Sequence, residues 1–324
     1  MDSLIKSSIK KSLKFRPKAL EKINCNHEDL IKYYRKDVMR YKQYNLNYEY
    51  IKVIYEIQPL LIMSWNVQFC TDIYGENNFN QIVDLINYQK PDIVFLQAIL
   101  MNKIEKLCKK TNLNLNSYYV NKTTTNDRKK TNYFLTAIMT KNTVNVNYSY
   151  SKPFLNNSSS NDKRGYVVTQ IFFENEEKIH KINLVNVHLN SIDYTEITRY
   201  KQMLEILNNE NLTNLSLIIG GNFNSITKND YDQEHWNWLL KNSHLNLDPI
   251  CSSYLSLPTT VSDLLLENLN DAGGNHKFYT CWTGRRVDYL YHSDDIDIKH
   301  YSTFVFDASK HFPILALISP KKLI

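Results

Sequence analysis

The stretch Leu215-Ser216-Leu217-Ile218-Ile219-Gly220-Gly221-Asn222-Phe223-Asn224 reads as a buried strand running into a turn. Its apolar residues are nearly continuous, as expected of a strand covered on both faces. Three other segments repeat the arrangement of polar residues beside an apolar run: Ser64-Trp65-Asn66-Val67, Phe95-Leu96-Gln97-Ala98 and Ser309-Lys310-His311-Phe312-Pro313.

Between these landmarks the hydrophobic periods alternate between strand and helix. Strands are expected at Leu60–Val67, Asp92–Gln97, Tyr133–Thr140, Leu215–Gly220, Phe278–Trp282, Arg286–His292, Ser302–Phe306 and Ile314–Ile318, with Gly165–Phe173 and Ile179–His188 as a pair. Helices are expected at Asn78–Gln89, closed by Lys90-Pro91, and at Lys103–Lys110, Tyr194–Leu207, Trp236–Asn242 and Asp263–Asn270, with Gly273-Gly274 as a turn. Lys122–Thr131 and Asn156–Lys163 read as polar surface loops. Residues 1–57 form a basic, partly helical extension, and a main domain covers 58–320.

With 324 residues and 43% hydrophobic content, the chain can bury one large core. Its five cysteines form no close pair and no zinc spacing, which favours a reducing intracellular compartment, cytoplasmic or nuclear. No stretch approaches the ~18 apolar residues of a membrane span. A net charge of +6 suits an anionic partner. The abundance of lysine, asparagine, isoleucine and tyrosine matches an AT-rich genome, such as that of a protist or a large DNA virus.

The four segments, in their order, resemble the endonuclease/exonuclease/phosphatase superfamily, which includes DNase I-like nucleases, abasic-site endonucleases, tyrosyl-DNA phosphodiesterases and deadenylases. Asn66 matches its first asparagine, His188 its strand histidine, Asn224 the asparagine of Gly-Asp-x-Asn, Asp288 the supporting aspartate and His311 the terminal histidine. Thr136–Met139, Arg199 and the Tyr279–Trp282 lead into Arg285-Arg286 are also family-like. The resemblance implies an α+β fold, a four-layer α/β/β/α sandwich of two mainly antiparallel sheets. It also implies metal-dependent phosphodiester hydrolysis with Mg²⁺ as cofactor. Catalytic positions would be His188, Asn222, Asn224, Asp288 and His311. Phosphate would meet Asn66, Asn224, Arg286, Lys310 and His311, and Asn66 would touch the metal.

Three acids of that pattern are exchanged: Gln-Glu reads Gln97-Ala98, Gly-Asp-x-Asn reads Gly221-Asn222-Phe223-Asn224, and Ser-Asp-His reads Ser309-Lys310-His311. A methyl group cannot ligate Mg²⁺, and an amide cannot take a proton from water as a carboxylate does. Mg²⁺ is therefore expected to bind weakly or not at all. The reading favoured is an inactive relative that binds nucleic acid or another phosphorylated ligand. The alternatives are an active Mg²⁺ phosphodiesterase drawing ligands from Asp72 or Asp193, and a structural protein docking a protein partner through residues 1–57.

Overall fold

The computed structural model describes residues 59–72, 75–125, 130–157, 162–174, 178–191, 196–237, 260–274, 279–282, 284–303 and 305–321. The N-terminal extension, Asp193 and most of the helix expected at Trp236–Asn242 lie outside these residues.

Among these residues, thirteen strands form two sheets. They are β1 (Leu60–Asn66), β2 (Ile93–Leu100), β3 (Asn114–Thr125), β4 (Lys130–Thr140), β5 (Asn145–Pro153), β6 (Asp162–Lys163), β7 (Gly165–Glu174), β8 (Ile179–His188), β9 (Ser216–Asn222), β10 (Asn270–Asp271), β11 (Asp288–His292), β12 (Ile296–Thr303) and β13 (Ile314–Pro320). The first sheet has the order β12-β13-β1-β2-β4-β3-β6 and the second β10-β11-β9-β8-β7-β5. Helices α1 (Phe79–Gln89) and α2 (Met101–Thr111) cover the first sheet, while α3 (Ile197–Leu207), α4 (Glu210–Thr213) and α5 (Val261–Leu266) cover the second.

Alternation along β1 shows how the layers arise. Leu61, Met63 and Trp65 enter the cluster beneath α1 and α2, whereas Ile62 enters the cluster between the sheets. A strand places successive side chains on opposite faces, so a sheet buried on both sides needs apolar residues at nearly every position. Each fully buried Leu or Ile contributes about 1.5–3 kcal/mol by leaving water. The same interlayer cluster holds Phe95, Leu184, Ile218, Leu290 and Ile314. The four-layer sandwich expected from the sequence is the fold observed.

Two strand pairs are parallel, β1 with β2 and β8 with β9, and the other pairings are antiparallel. Parallel neighbours need a crossover, supplied by α1 in one case and by α3 with α4 in the other. The parallel pairs pack face to face, since β1 touches β9 and β2 touches β8. Their C-terminal ends, carrying Asn66, Gln97, His188 and Asn222, define one end of the sandwich.

Several expectations need correction. The loop expected at Lys122–Thr131 is largely a hairpin, because β3 runs to Thr125 and β4 starts at Lys130. The last helix ends at Leu266, and Asn270–Asp271 instead pairs with β11. Phe278–Trp282 forms no named strand among the described residues; Cys281 makes an isolated bridge to His311. The strand expected at Ser302–Phe306 is the end of β12, which stops at Thr303.

Gly221 shows why this frame tolerates little change near its end. Its φ is +136°, and a Cβ there would lie 2.0 Å from the Val187 carbonyl oxygen. Gly221→Ala is expected to cost about 3 kcal/mol through backbone strain and displacement of β8 from β9. A fall in the urea midpoint without a change in slope would report it.

Candidate functional site

Strand register brings the motif residues together. Asn222 lies opposite His188 of β8 on one side and Asp288 of β11 on the other, so these three form a row across the end of the second sheet. In the first sheet Asn66 pairs with Gln97. The segment before β13 closes the end between the sheets. Its Ser309 hydroxyl donates to the Asn66 carbonyl at 2.6 Å and accepts the His311 N–H at 3.2 Å. The Trp65 indole N–H donates to the His311 carbonyl at 2.9 Å. His311 is thereby tied to β1 while its ring reaches β11.

That ring has a defined orientation. His311 Nδ1 lies 2.8 Å from Asp288 Oδ2 and 3.3 Å from Asn222 Nδ2. The Asn222 Oδ1 accepts the Asn224 N–H at 2.9 Å, which turns its amide nitrogen toward the imidazole. An amide N–H and a carboxylate make opposite demands on one ring nitrogen. The shorter, charge-assisted contact prevails: Nδ1–H donates to Asp288 and Nε2 is left for a ligand. Thr280 fixes the backbone that carries the carboxylate, its hydroxyl accepting the Val287 and Asp288 N–H groups at 2.9 Å each.

The second histidine is of a different kind. His188 is buried, its ring 5.4 Å from that of Phe134. Burial holds its pKa well below the ordinary imidazole value, aided by the positive charge of Arg164 and by His311. It is neutral at physiological pH, and its Nδ1 has no hydrogen-bond partner among the described residues.

Beneath the row lies a polar floor. Gln97 Nε2 donates to Asn186 Oδ1 at 2.8 Å, and Asn186 Nδ2 crosses to the Leu96 and Ala137 carbonyls at 3.0 and 2.8 Å. The same stretch of β2 holds a β-bulge, since its register against β4 slips between Leu96 and Ile99. Ala98 occupies that bulge with φ +56° and is 2% exposed. A left-handed conformation costs an L-residue about 1–2 kcal/mol, so the backbone keeps a strained shape that its methyl group does not require.

The donor set does not fit a hard divalent cation. Mg²⁺ selects carboxylates and water, and among the six motif side chains Asn66, His188, Asn222, Asn224, Asp288 and His311 the lone carboxylate is Asp288, already engaged by His311. The amide oxygen of Asn66 accepts the Gln68 N–H at 3.0 Å, and that of Asn222 is committed to Asn224. Among the described residues no group of three or more His, Cys, Asp or Glu side chains is placed to hold a metal. Asp72 Oδ1 accepts the Glu76 N–H at 2.8 Å within its own loop.

Arg286 is a correction. Its guanidinium is 1% exposed and bonds to both oxygens of Asp271, at 2.5 and 2.6 Å, and to Asp230 at 3.0 Å. Burial opposes its charge, but Asp271, Tyr301 and Asp230 outweigh it and hold it firmly protonated. It is spent inside the protein and cannot clamp a phosphate. Lys310, by contrast, is partly exposed and forms no ion pair with any described residue.

Sequence reasoning missed Arg164, which sits just past a stretch read as a surface loop. It is buried, its Nε bonds Asp162 at 2.9 Å, its Nη2 reaches Ser191 at 3.1 Å, and its plane lies 4.9 Å over Phe134. Its Nη1 has no hydrogen-bond partner among the described residues. The one available signal was the Arg164-Gly165 pair at a strand start. Arg199 is resolved as a positioning residue: it pairs with Glu196 and donates to the Asn190 carbonyl at 3.1 Å, while Glu196 also receives Ser225 and the Val261 N–H.

Two facing sheets with outer helices, and an Asn, His and Asp row at one end, define a DNase I-like sandwich. The sequence matches the endonuclease/exonuclease/phosphatase family over residues 63–309, and the chain belongs to that family. Solved structures agree on the fold. D. rerio TDP2 complexed with single strand DNA product has 19% identity and a TM-score of 0.53, covering 80% of this chain and 98% of that one. The human Nocturnin catalytic domain with bound sulfate anion has 16% identity and a TM-score of 0.54, covering 81% and 94%. An endonuclease/exonuclease/phosphatase from Bacteroides vulgatus has 14% identity and a TM-score of 0.53, covering 81% and 99%. No curated protein sequence matches the chain. Members of the family generally use divalent metals. No helix among the described residues is long and apolar enough to cross a membrane.

Proposed function

We propose that the end of the sandwich carrying these residues forms a groove that binds the phosphate backbone of nucleic acid and does not hydrolyse it. The observation that carries the reading is the exchange of charge at the motif positions. Asp288 is the remaining motif acid, with its Oδ2 engaged by His311, while Lys310, which forms no ion pair with a described residue, brings a cation to the segment that straps His311 in place. A lysine ammonium is a compact point charge suited to a phosphate oxygen. His311 Nε2 and Asn224 supply further polar contacts. The base that would deprotonate water is an amide, Asn222, so the family's hydrolytic route lacks both its metal ligands and its proton acceptor.

The ligands named for two structures of this fold, a single strand DNA product and a sulfate anion, support an anionic occupant. We assign residues 1–57, rich in lysine, as a second contact for the same partner or for a protein, and place the chain inside the cell on its cysteine pattern.

Lys310→Ala is expected to weaken binding of a labelled oligonucleotide about tenfold at low salt, the worth of one charge-assisted contact. Fluorescence anisotropy across a salt series reads this, alongside a nuclease assay in Mg²⁺ and Mn²⁺. Turnover by the wild-type protein, or unchanged affinity in the variant, would overturn the reading.

A further inference from the structure

Outside the groove, the surface between α1 and α2 combines charge and direction, with an exposed aromatic next to it. The two helices run side by side in the same direction. Lys103 and Lys106 of α2 sit over the Phe79 ring at the start of α1, 5.3 and 5.6 Å from its centroid. At the other end, Asn87 of α1 donates to the Lys110 carbonyl at 3.1 Å. Both helices follow strands that end at the groove, β1 and β2, so the seam between them starts there and leads away.

Lys103, Lys106 and Lys110 follow the spacing that puts side chains on one helix face. Together α1 and α2 carry four lysines against Asp84 and Glu105. None of the four lysines forms an ion pair with a described residue. Two ammonium groups held on one ring repel each other and gain from a bridging anion. Tyr88, adjacent to Asn87, is 56% exposed. The seam and the groove share a foundation, because Trp65, Phe79, Leu96, Ile104 and Ala308 belong to one apolar cluster and Lys310 lies two residues past Ala308.

We propose that this seam is a track for single-stranded nucleic acid leaving the groove, with Lys103, Lys106 and Lys110 on successive phosphates and Tyr88 as a stacking surface for a base. The proposal rests on the phosphate-binding reading of the groove. From Lys103 to Lys110 the helix rises about 10 Å, room for about three phosphates of a stacked strand at ~3.4 Å each. Positive grooves with aromatic platforms bind single strands with little sequence preference, and such preference is not expected here.

The test compares a labelled thymidine dinucleotide, a 12-nucleotide oligo-dT and a 12-base-pair duplex, using wild type, Lys310→Ala and the triple variant Lys103→Gln/Lys106→Gln/Lys110→Gln. Circular dichroism checks that the variants are folded. The triple variant should bind the 12-mer about 100-fold more weakly at ~50 mM salt, with a salt slope shallower by about 2, and leave dinucleotide affinity within about twofold. If the triple variant binds the 12-mer normally while Lys310→Ala weakens both single strands, the track is wrong and the groove reading stands. Equal weakening of dinucleotide and 12-mer would also overturn the track, and tighter binding of the duplex would overturn the single-strand assignment. If wild type binds no probe, or no variant matters, both readings fall.

Discussion

Replacing Arg286 by methionine is expected to lower stability by about 3–5 kcal/mol, the usual cost of removing one partner from a buried ion pair. Methionine fills much of the volume but leaves Asp230 and Asp271 buried without their cation. Three elements meet at that guanidinium: the turn after Asn224 through Asp230, strand β10 through Asp271, and β11, where Tyr289 donates to Asp230 at 2.7 Å. At this chain length the loss corresponds to a fall in Tm of about 10 °C.

The pH dependence gives the mechanism. Burial already raises the Asp230 pKa, with Arg286 and the Tyr289 hydroxyl pulling against it, and removing Arg286 leaves only the Tyr289 hydrogen bond to oppose the raise. A carboxyl group raised in the folded state holds its proton more tightly there than in the unfolded chain. Its stabilisation is therefore present below the unfolded value of ~3.9 and is lost as pH rises through the folded value. The variant should lose least near pH 4 and most near pH 7, as read by urea melts. A pH-independent loss would mean that packing, not charge, is responsible.

The combined reversion Ala98→Glu, Asn222→Asp and Lys310→Asp is expected to create Mg²⁺-dependent phosphodiester hydrolysis at least ~10³-fold above wild type, whereas each single reversion should gain almost nothing. Groups that act as a unit contribute little one at a time. The backbone favours success, since the bulge at Ala98 and the row His188–Asn222–Asp288 are both in place. Clustered carboxylates repel one another, so the variant should also be less stable in chelator and recover several degrees of Tm in Mg²⁺. That thermal shift separates failure to bind metal from failure of chemistry. An inert variant that nonetheless binds Mg²⁺ would show that more of the site has changed than the three acids.

Much of this architecture was legible in the chain because its central strands are buried on both faces. Continuous apolar runs such as Leu60–Met63 and Leu217–Ile219 have no other comfortable place. Two of the longer strands that escaped notice, β3 and β5, are rich in Asn, Tyr, Ser, Lys and Thr and lie toward sheet edges, where one face meets water and the apolar signal fades. In the site, side chains attached to strand ends were found by their motifs. Arg286 was misjudged because an arginine's partners, Asp230 and Asp271, are distant in sequence and nothing local announces its burial. Arg164 was hidden for a different reason: its neutralising Asp162 is close in sequence but sits in a stretch that reads as a solvated loop.

The Gln97–Asn186 bridge has a consequence for how this family member can change. It is a bulkhead: below it stands the oily interior that keeps the sheets together, above it the side chains that meet a ligand. Because the seal is made by residues on opposite sheets and uses backbone carbonyls, replacing what stands above does not open the interior to water. A lineage can therefore exchange catalysis for capture by a handful of substitutions, with no need to rebuild the molecule that carries them.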